Sequence, residues 1–168
     1  VFFAASGWYS DVSNVKQAAE RALKTMVDDP TEQLTDILLE AKDLTVKKRA
    51  VEAAMESNAS SENKVELASL ALAEGLNREA NSAAQRRELK QLRLTSLRIL
   101  AEAAIPAESA LVSFDEMIYQ YRVHRVFDED EMLTAIHTMG NYKDSEEAGE
   151  IRSRFLEYMN YQREGGKR

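Results

Sequence analysis

The sequence contains no cysteine, and only six glycines and two prolines occur among its 168 residues. Without cysteine the chain forms no disulfide, and a thiolate is excluded both as a metal ligand and as a nucleophile. The scarcity of glycine and proline leaves few positions that would interrupt a helix. Long apolar runs are missing as well, because no stretch of 18 apolar residues occurs. The sequence therefore predicts no membrane-spanning helix.

The charge balance is acidic, with 29 aspartates and glutamates against 22 lysines and arginines and a net charge of −7. Such a surface repels phosphate backbones and anionic lipids, which disfavours nucleic acid as a partner. Basic residues nevertheless gather in the run 86–98, where Arg86, Lys90 and Arg93 fall on one stripe at helical spacing. This basic helix indicates either a solvated face or a groove for a phosphate or an acidic peptide.

Apolar spacing with a helical period runs through the whole chain, and no segment alternates with the period of a β-strand. The pattern and its cap residues predict an all-α fold of about eight helices. These predicted helices cover approximately residues 13–26, 31–41, 45–55, 61–76, 84–105, 106–121, 131–139 and 145–159.

One helical phrase is written four times. Its apolar residues stand at offsets 0, 3, 4, 7, 8 and 11 from Val15, and partial copies start at Lys47, Leu92 and Glu131. The second copy has lysine, and the fourth has glutamate, where the phrase begins with an apolar residue. Self-similarity over tens of residues is typical of repeat architectures, in which each unit buries its apolar face against its neighbours.

Three stretches extend the phrase into the surrounding turn or helix: 14–38, 92–104 and 134–159. They resemble HEAT-type α-solenoid repeats, whose second helix reads V-R-x-A-A-x-x-A-L-G and precedes a turn, an acid and the next helix. The resemblance implies an irregular, right-handed α-solenoid of antiparallel helices. The copies are separated by 32, 45 and 39 residues, whereas HEAT repeats recur every 40–47 or so. A compact helical bundle is the alternative fold.

We interpret residues 1–168 as a single helical-repeat domain, with 1–10 as an aromatic N-terminal cap and 164–168 as a frayed tail. The chain opens without methionine, and the favoured interpretation is a boundary cut from a longer protein. The alternative takes residues 1–6 as the end of a secretory signal segment. A soluble protein of the cytoplasm or of the bacterial periplasm is consistent with both, and the sequence leaves the compartment open.

A helical repeat builds an extended surface for partners, so the predicted function is a non-catalytic protein–protein interaction or scaffold domain. The partner would be another protein or a neighbouring domain, and the uneven distribution of charge also permits self-association. The predicted contact residues are the basic stripe and two tyrosines near the C-terminus, because tyrosine offers a large contact area at low entropy cost. These residues are Arg86, Lys90, Arg93, Tyr158 and Tyr161.

Two other functions remain as alternatives. Some HEAT-like glycosylases grip DNA with basic surfaces, so the resemblance also allows a nucleic-acid-binding or nucleic-acid-modifying protein that uses the basic helix 86–98. A helical bundle around a small apolar ligand is the third option. Catalytic, cofactor and metal sites are not predicted, since His124 and His137 fit no H-E-x-x-H spacing. HEAT-like hydroxylases hold iron through His-Glu pairs, and the chain has no His-Glu dipeptide.

Overall fold

The computed structural model describes residues 29–124 and 128–165. These residues form α-helices joined by short connections and contain no β-strand, which confirms the predicted all-α class. The helices are α1 (Thr31–Glu40), α2 (Leu44–Glu56), α3 (Ser61–Asn77), α4 (Ala83–Ala103), α5 (Glu108–Val123), α6 (Glu129–Gly140) and α7 (Glu146–Arg163). They correspond to the last seven predicted helices. The predicted helix 13–26, the aromatic cap 1–10 and residues 166–168 of the predicted tail lie outside the described residues.

Short polar side chains start most of these helices. Five N-cap residues accept a hydrogen bond from a backbone N–H of the first turn, which satisfies a donor that the helix itself leaves unpaired. These caps are Asp43, Ser60, Ser82, Asp128 and Ser145. The ends of the helices are more varied. The most unusual is that of α4, where the C-cap residue Ala104 has a left-handed backbone with φ of 51°.

The main helix contacts join each helix to the next one or to the next but one along the chain. The odd-numbered helices α1, α3, α5 and α7 contact each other in succession, and so do the even-numbered α2, α4 and α6. Further contacts join α1 to α2, α2 to α3, α3 to α4 and α6 to α7. We refer to these two sets as the odd row and the even row. One continuous apolar core, from Leu34 to Met159, lies among the described helices, and Phe114 and Phe155 are its largest fully buried members.

Helices α3 and α4 approach each other closely at Gly75. A Cβ atom added to Gly75 would lie 2.7 Å from Cγ of Arg93, closer than side-chain atoms normally pack. The missing side chain therefore lets Arg93 cross α3 directly against the backbone. This contact positions the charged network described next.

Candidate functional site

Arg93, from the predicted basic stripe, forms a buried ion pair with Glu131 at the start of α6. Its Nη2 donates to Oε1 of Glu131 at 2.9 Å, and its Nε donates to the same carboxylate at 3.2 Å. The Nη1 atom donates to the carbonyl oxygen of Gly75 at 2.8 Å. The Glu131 side chain is fully buried. Burial raises the pKa of Glu131, while the hydrogen bonds and positive charge of Arg93 act in the opposite direction.

Lys90, one turn earlier on α4, pairs with the same acidic run. Its Nζ lies 2.7 Å from Oδ2 of Asp128 and 3.5 Å from Oδ2 of Asp130. The hydrogen bond to Asp128 is the main cause that raises the pKa of Lys90. Asp128 also caps α6. These acids therefore stabilise the N-terminal end of that helix and also neutralise the charge of Lys90 on α4.

Lys47 on α2 is a second buried charge. Its side chain is 4% exposed, and its Nζ lies 2.8 Å from Oε1 of Glu74 on α3. The same ammonium donates to the carbonyl oxygen of Leu38 near the end of α1, at 2.5 Å. Arg78 also pairs with Glu74. The Lys47–Glu74 pair thus joins the even row to the odd row, whereas the pairs of Arg93 and Lys90 join α4 and α6 within the even row.

The structure assigns the predicted contact residues to different environments. Lys90 and Arg93 are held in ion pairs within the chain, and Arg86 is exposed, with no ion pair to any residue in 29–124 or 128–165. Tyr158 on α7 is buried, and its hydroxyl donates to the carbonyl oxygen of Tyr121 at 2.9 Å. Tyr161 is exposed on the same helix. The basic stripe and these tyrosines are not brought together, because α4 and α7 share no main contact.

Neither histidine lies in a metal-binding cluster. His124 at the end of α5 and His137 on α6 are both exposed. Within the described ranges, no three histidine, aspartate or glutamate side chains converge so that they could hold a metal ion. In the same ranges, each helix is too short or too polar to cross a lipid bilayer.

A surface that the sequence reasoning missed lies on the odd row. Val112, Tyr119 and Val123 project from one stripe of α5, and each has more than half of its side-chain surface exposed. Leu70 of α3 lies beside them and is 43% exposed. We call these four residues the α5 face. The signal in the sequence was a second apolar stripe at offsets 0, 7 and 11, next to the stripe that enters the core.

Two open grooves flank the ridge of α5. One, of about 440 Å³, lies between α3 and α5 and is lined by Leu70, Ala73 and Val112 together with serine side chains. The other, of about 590 Å³, lies between α5 and α7 and includes Tyr119 and Val123. At its edge Arg154 of α7 forms an exposed ion pair with Asp115. The first groove is thus mainly apolar, whereas the second combines apolar side chains with the charged Asp115, Glu116, Arg122 and Arg154.

Charge is divided along the same helix. Glu108 lies at the start of α5 and Asp115 and Glu116 lie at its middle, whereas Arg122 lies in its last turn. Arg122 is exposed and has no ion pair with another described residue. The exposed side of α5 therefore carries acids at its start and middle and a base at its end, and the apolar residues of the α5 face lie between and beside them.

Comparison of the chain with models of protein families, with curated proteins and with solved structures finds no match. The HEAT-like resemblance therefore stays a prediction. Residues 29–124 and 128–165 define an all-helical arrangement with a basic stripe that is largely paired within the chain and an exposed apolar ridge.

Proposed function

We propose that this protein is a non-catalytic protein–protein interaction or scaffold domain and that partners bind the α5 face. The observation that carries the proposal is the exposure of Val112, Tyr119 and Val123 on one stripe between two grooves. Exposed apolar groups that cluster and have a polar border are typical of binding surfaces. Of seven large apolar side chains that are exposed in the described residues, six lie on the odd row.

The proposal includes the finer fold, an irregular HEAT-like α-solenoid. It is supported by the main helix contacts, which join only helices that are next or next but one to each other along the chain, because a solenoid unit packs only on its neighbours. In such a stack the outer side of one row is left free, which suits a surface for partners.

The nucleic-acid alternative has less support. Lys90 and Arg93 are neutralised by Asp128, Asp130 and Glu131. Of the basic helix 86–98, this leaves Arg86, Arg87 and Arg98 without an ion pair to a described residue. A protein partner at the α5 face needs no change in these ion pairs. Arg86 and Tyr161, both exposed, are proposed as secondary contacts.

The test is affinity capture from the native cells with the full chain and two variants. The double variant V112E/Y119E places charges on the α5 face, and L133E places one charge on an exposed leucine of α6 as the matched control. We expect the wild-type chain and L133E to retain the same protein, and V112E/Y119E to lose it. Equal thermal unfolding of the three chains would show that the fold is intact. Retention by all three, or by none, would contradict the proposal.

A further inference from the structure

The exposed stripe of α5 is complementary to itself when it is reversed. It begins with Val112, continues through Asp115 and Tyr119, and ends with Arg122 and Val123. An apolar residue thus stands at each end, an acid lies in the first half and a base in the second. A second α5 laid antiparallel on this stripe places the apolar residues at its two ends, Val112 and Val123, against each other and Asp115 near Arg122.

We propose that the partner of the α5 face is a second copy of this chain, bound in a symmetric dimer through antiparallel α5 helices. The inference rests on the proposed function, since it names the partner of that same surface. A two-fold axis level with the bond between Met117 and Ile118 brings Val112 opposite Val123 of the second copy. Such an interface uses one patch twice, which is the commonest arrangement in homodimers.

The same register brings opposite charges together. The position opposite Arg122 is residue 113 of the second copy, and Asp115 lies two residues further, about 3 Å along the helix. An arginine side chain spans that offset easily. Arg122 has no ion pair with another described residue, and the Asp115–Arg154 pair lies open to solvent. A parallel arrangement would instead bring every acid against its own copy and Arg122 against Arg122. In the antiparallel one, only Glu116 lies within a helical turn of its own copy, so the charges favour the antiparallel arrangement.

The middle of the stripe suits a symmetry axis. Tyr119 lies opposite Glu116 of the second copy, one helical turn from the second Tyr119, so the two rings meet near the axis. Tyrosine is enriched at such central positions because it combines a large apolar area with a polar end. The helix dipoles of the two α5 helices are also antiparallel in this arrangement, which is the favourable orientation.

The test is sedimentation equilibrium of the full chain over a range of concentrations. Five chains are compared: the wild type, V112K, V123E, the double variant V112K/V123E and the control L133K. Positions 112 and 123 are 11 residues apart, about 16 Å along one helix, so the new charges do not pair within one chain. Across the dimer, however, the new ammonium and the new carboxylate face each other.

We expect the wild type and L133K to form dimers with the same dissociation constant. V112K and V123E should each raise that constant by at least about tenfold, because a charge then faces an apolar side chain. The double variant should recover most of the loss. Circular dichroism melts that match the wild type, at a concentration low enough for all five chains to be monomeric, would show that the differences arise at the interface.

Three results would overturn the inference: a wild type that stays monomeric, dimers that no variant weakens, or a double variant no better than the single ones. The proposed function is tested apart from this by the capture experiment. A monomeric wild type whose α5 face still retains another protein from cells would refute the second copy and leave the interaction domain standing. A monomeric wild type that retains nothing would refute both.

Discussion

Lys47 and Glu131 begin two copies of the same helical phrase, and each is a buried charge paired with a residue of another helix. Lys47 pairs with Glu74 at 2.8 Å, and Glu131 pairs with Arg93 at 2.9 Å. A buried charge is very costly unless it has a partner and hydrogen bonds. Both positions have them, since each cation also donates to a backbone carbonyl, that of Leu38 or of Gly75. The two positions where the helical phrase has a charged residue in place of an apolar one are therefore positions of ion pairs between helices.

Removal of one partner of the Arg93–Glu131 pair should destabilise the protein strongly. We expect R93A to lower the free energy of unfolding by about 3–5 kcal/mol, because Glu131 would remain buried without a counter-charge. The double variant R93M/E131L removes both charges and should lose much less. Urea unfolding of the three chains measures the difference, and an R93A chain as stable as the double variant would contradict the pairing.

The raised pKa of Glu131 predicts how stability depends on pH. Because of its burial, the Glu131 carboxylate binds a proton in the folded state at a pH where the same group is still ionised in the unfolded chain. The contribution of Glu131 to stability should therefore increase as the pH falls through the folded pKa towards the ordinary value near 4.5. We expect the stability of the wild type relative to E131Q to rise in that direction. Urea unfolding at several pH values measures it, and a difference that falls on acidification would show a lowered pKa instead.

Tyr142 makes the protein sensitive to alkali. Its burial raises the pKa of the phenol from 10.0 to about 12, so the unfolded chain loses this proton first as the pH rises. The stability that the neutral phenol provides is complete below pH 10 or so and is lost as the pH approaches 12. We expect Y142F to flatten this part of the curve. The measurement is urea unfolding of both chains between about pH 9 and 11, and parallel curves would contradict the assignment.

Replacement of Ala104 by glycine should stabilise the protein. The backbone of Ala104 is left-handed, with φ of 51°. This conformation is unfavourable for alanine because of its Cβ atom, whereas glycine adopts it without strain. We expect A104G to raise the free energy of unfolding by about 0.5–1 kcal/mol. The control is A101G, inside the last turn of α4, which should lower it by a similar amount. Thermal melts of both variants and the wild type measure these changes in stability. An A104G chain less stable than the wild type would contradict the left-handed cap.

Sequence reasoning reached the elements of the fold because their signals are local. A helix is recognised from apolar residues three and four apart and from an N-cap that precedes them, such as Ser60 or Ser145. Both signals depend only on neighbours within a turn or two. All seven described helices were expected on that basis. Local patterns could not predict which charged residues pair, because Arg93 and Glu131 are 38 residues apart along the chain. Their pairing depends on how α4 packs on α6.

The same limit applies to the candidate site. The sequence showed basic residues on one stripe of α4 and correctly grouped Arg86, Lys90 and Arg93 on one helix. It could not show that two of them meet the acids 128–131, nor that Val112 and Tyr119 stay outside the core. Apolar spacing determines that a helix has an apolar stripe; which stripe is buried depends on the helices that surround it. By itself, then, the sequence determined the helices, and the tertiary packing alone decided which charges are neutralised and which apolar side chains stay exposed.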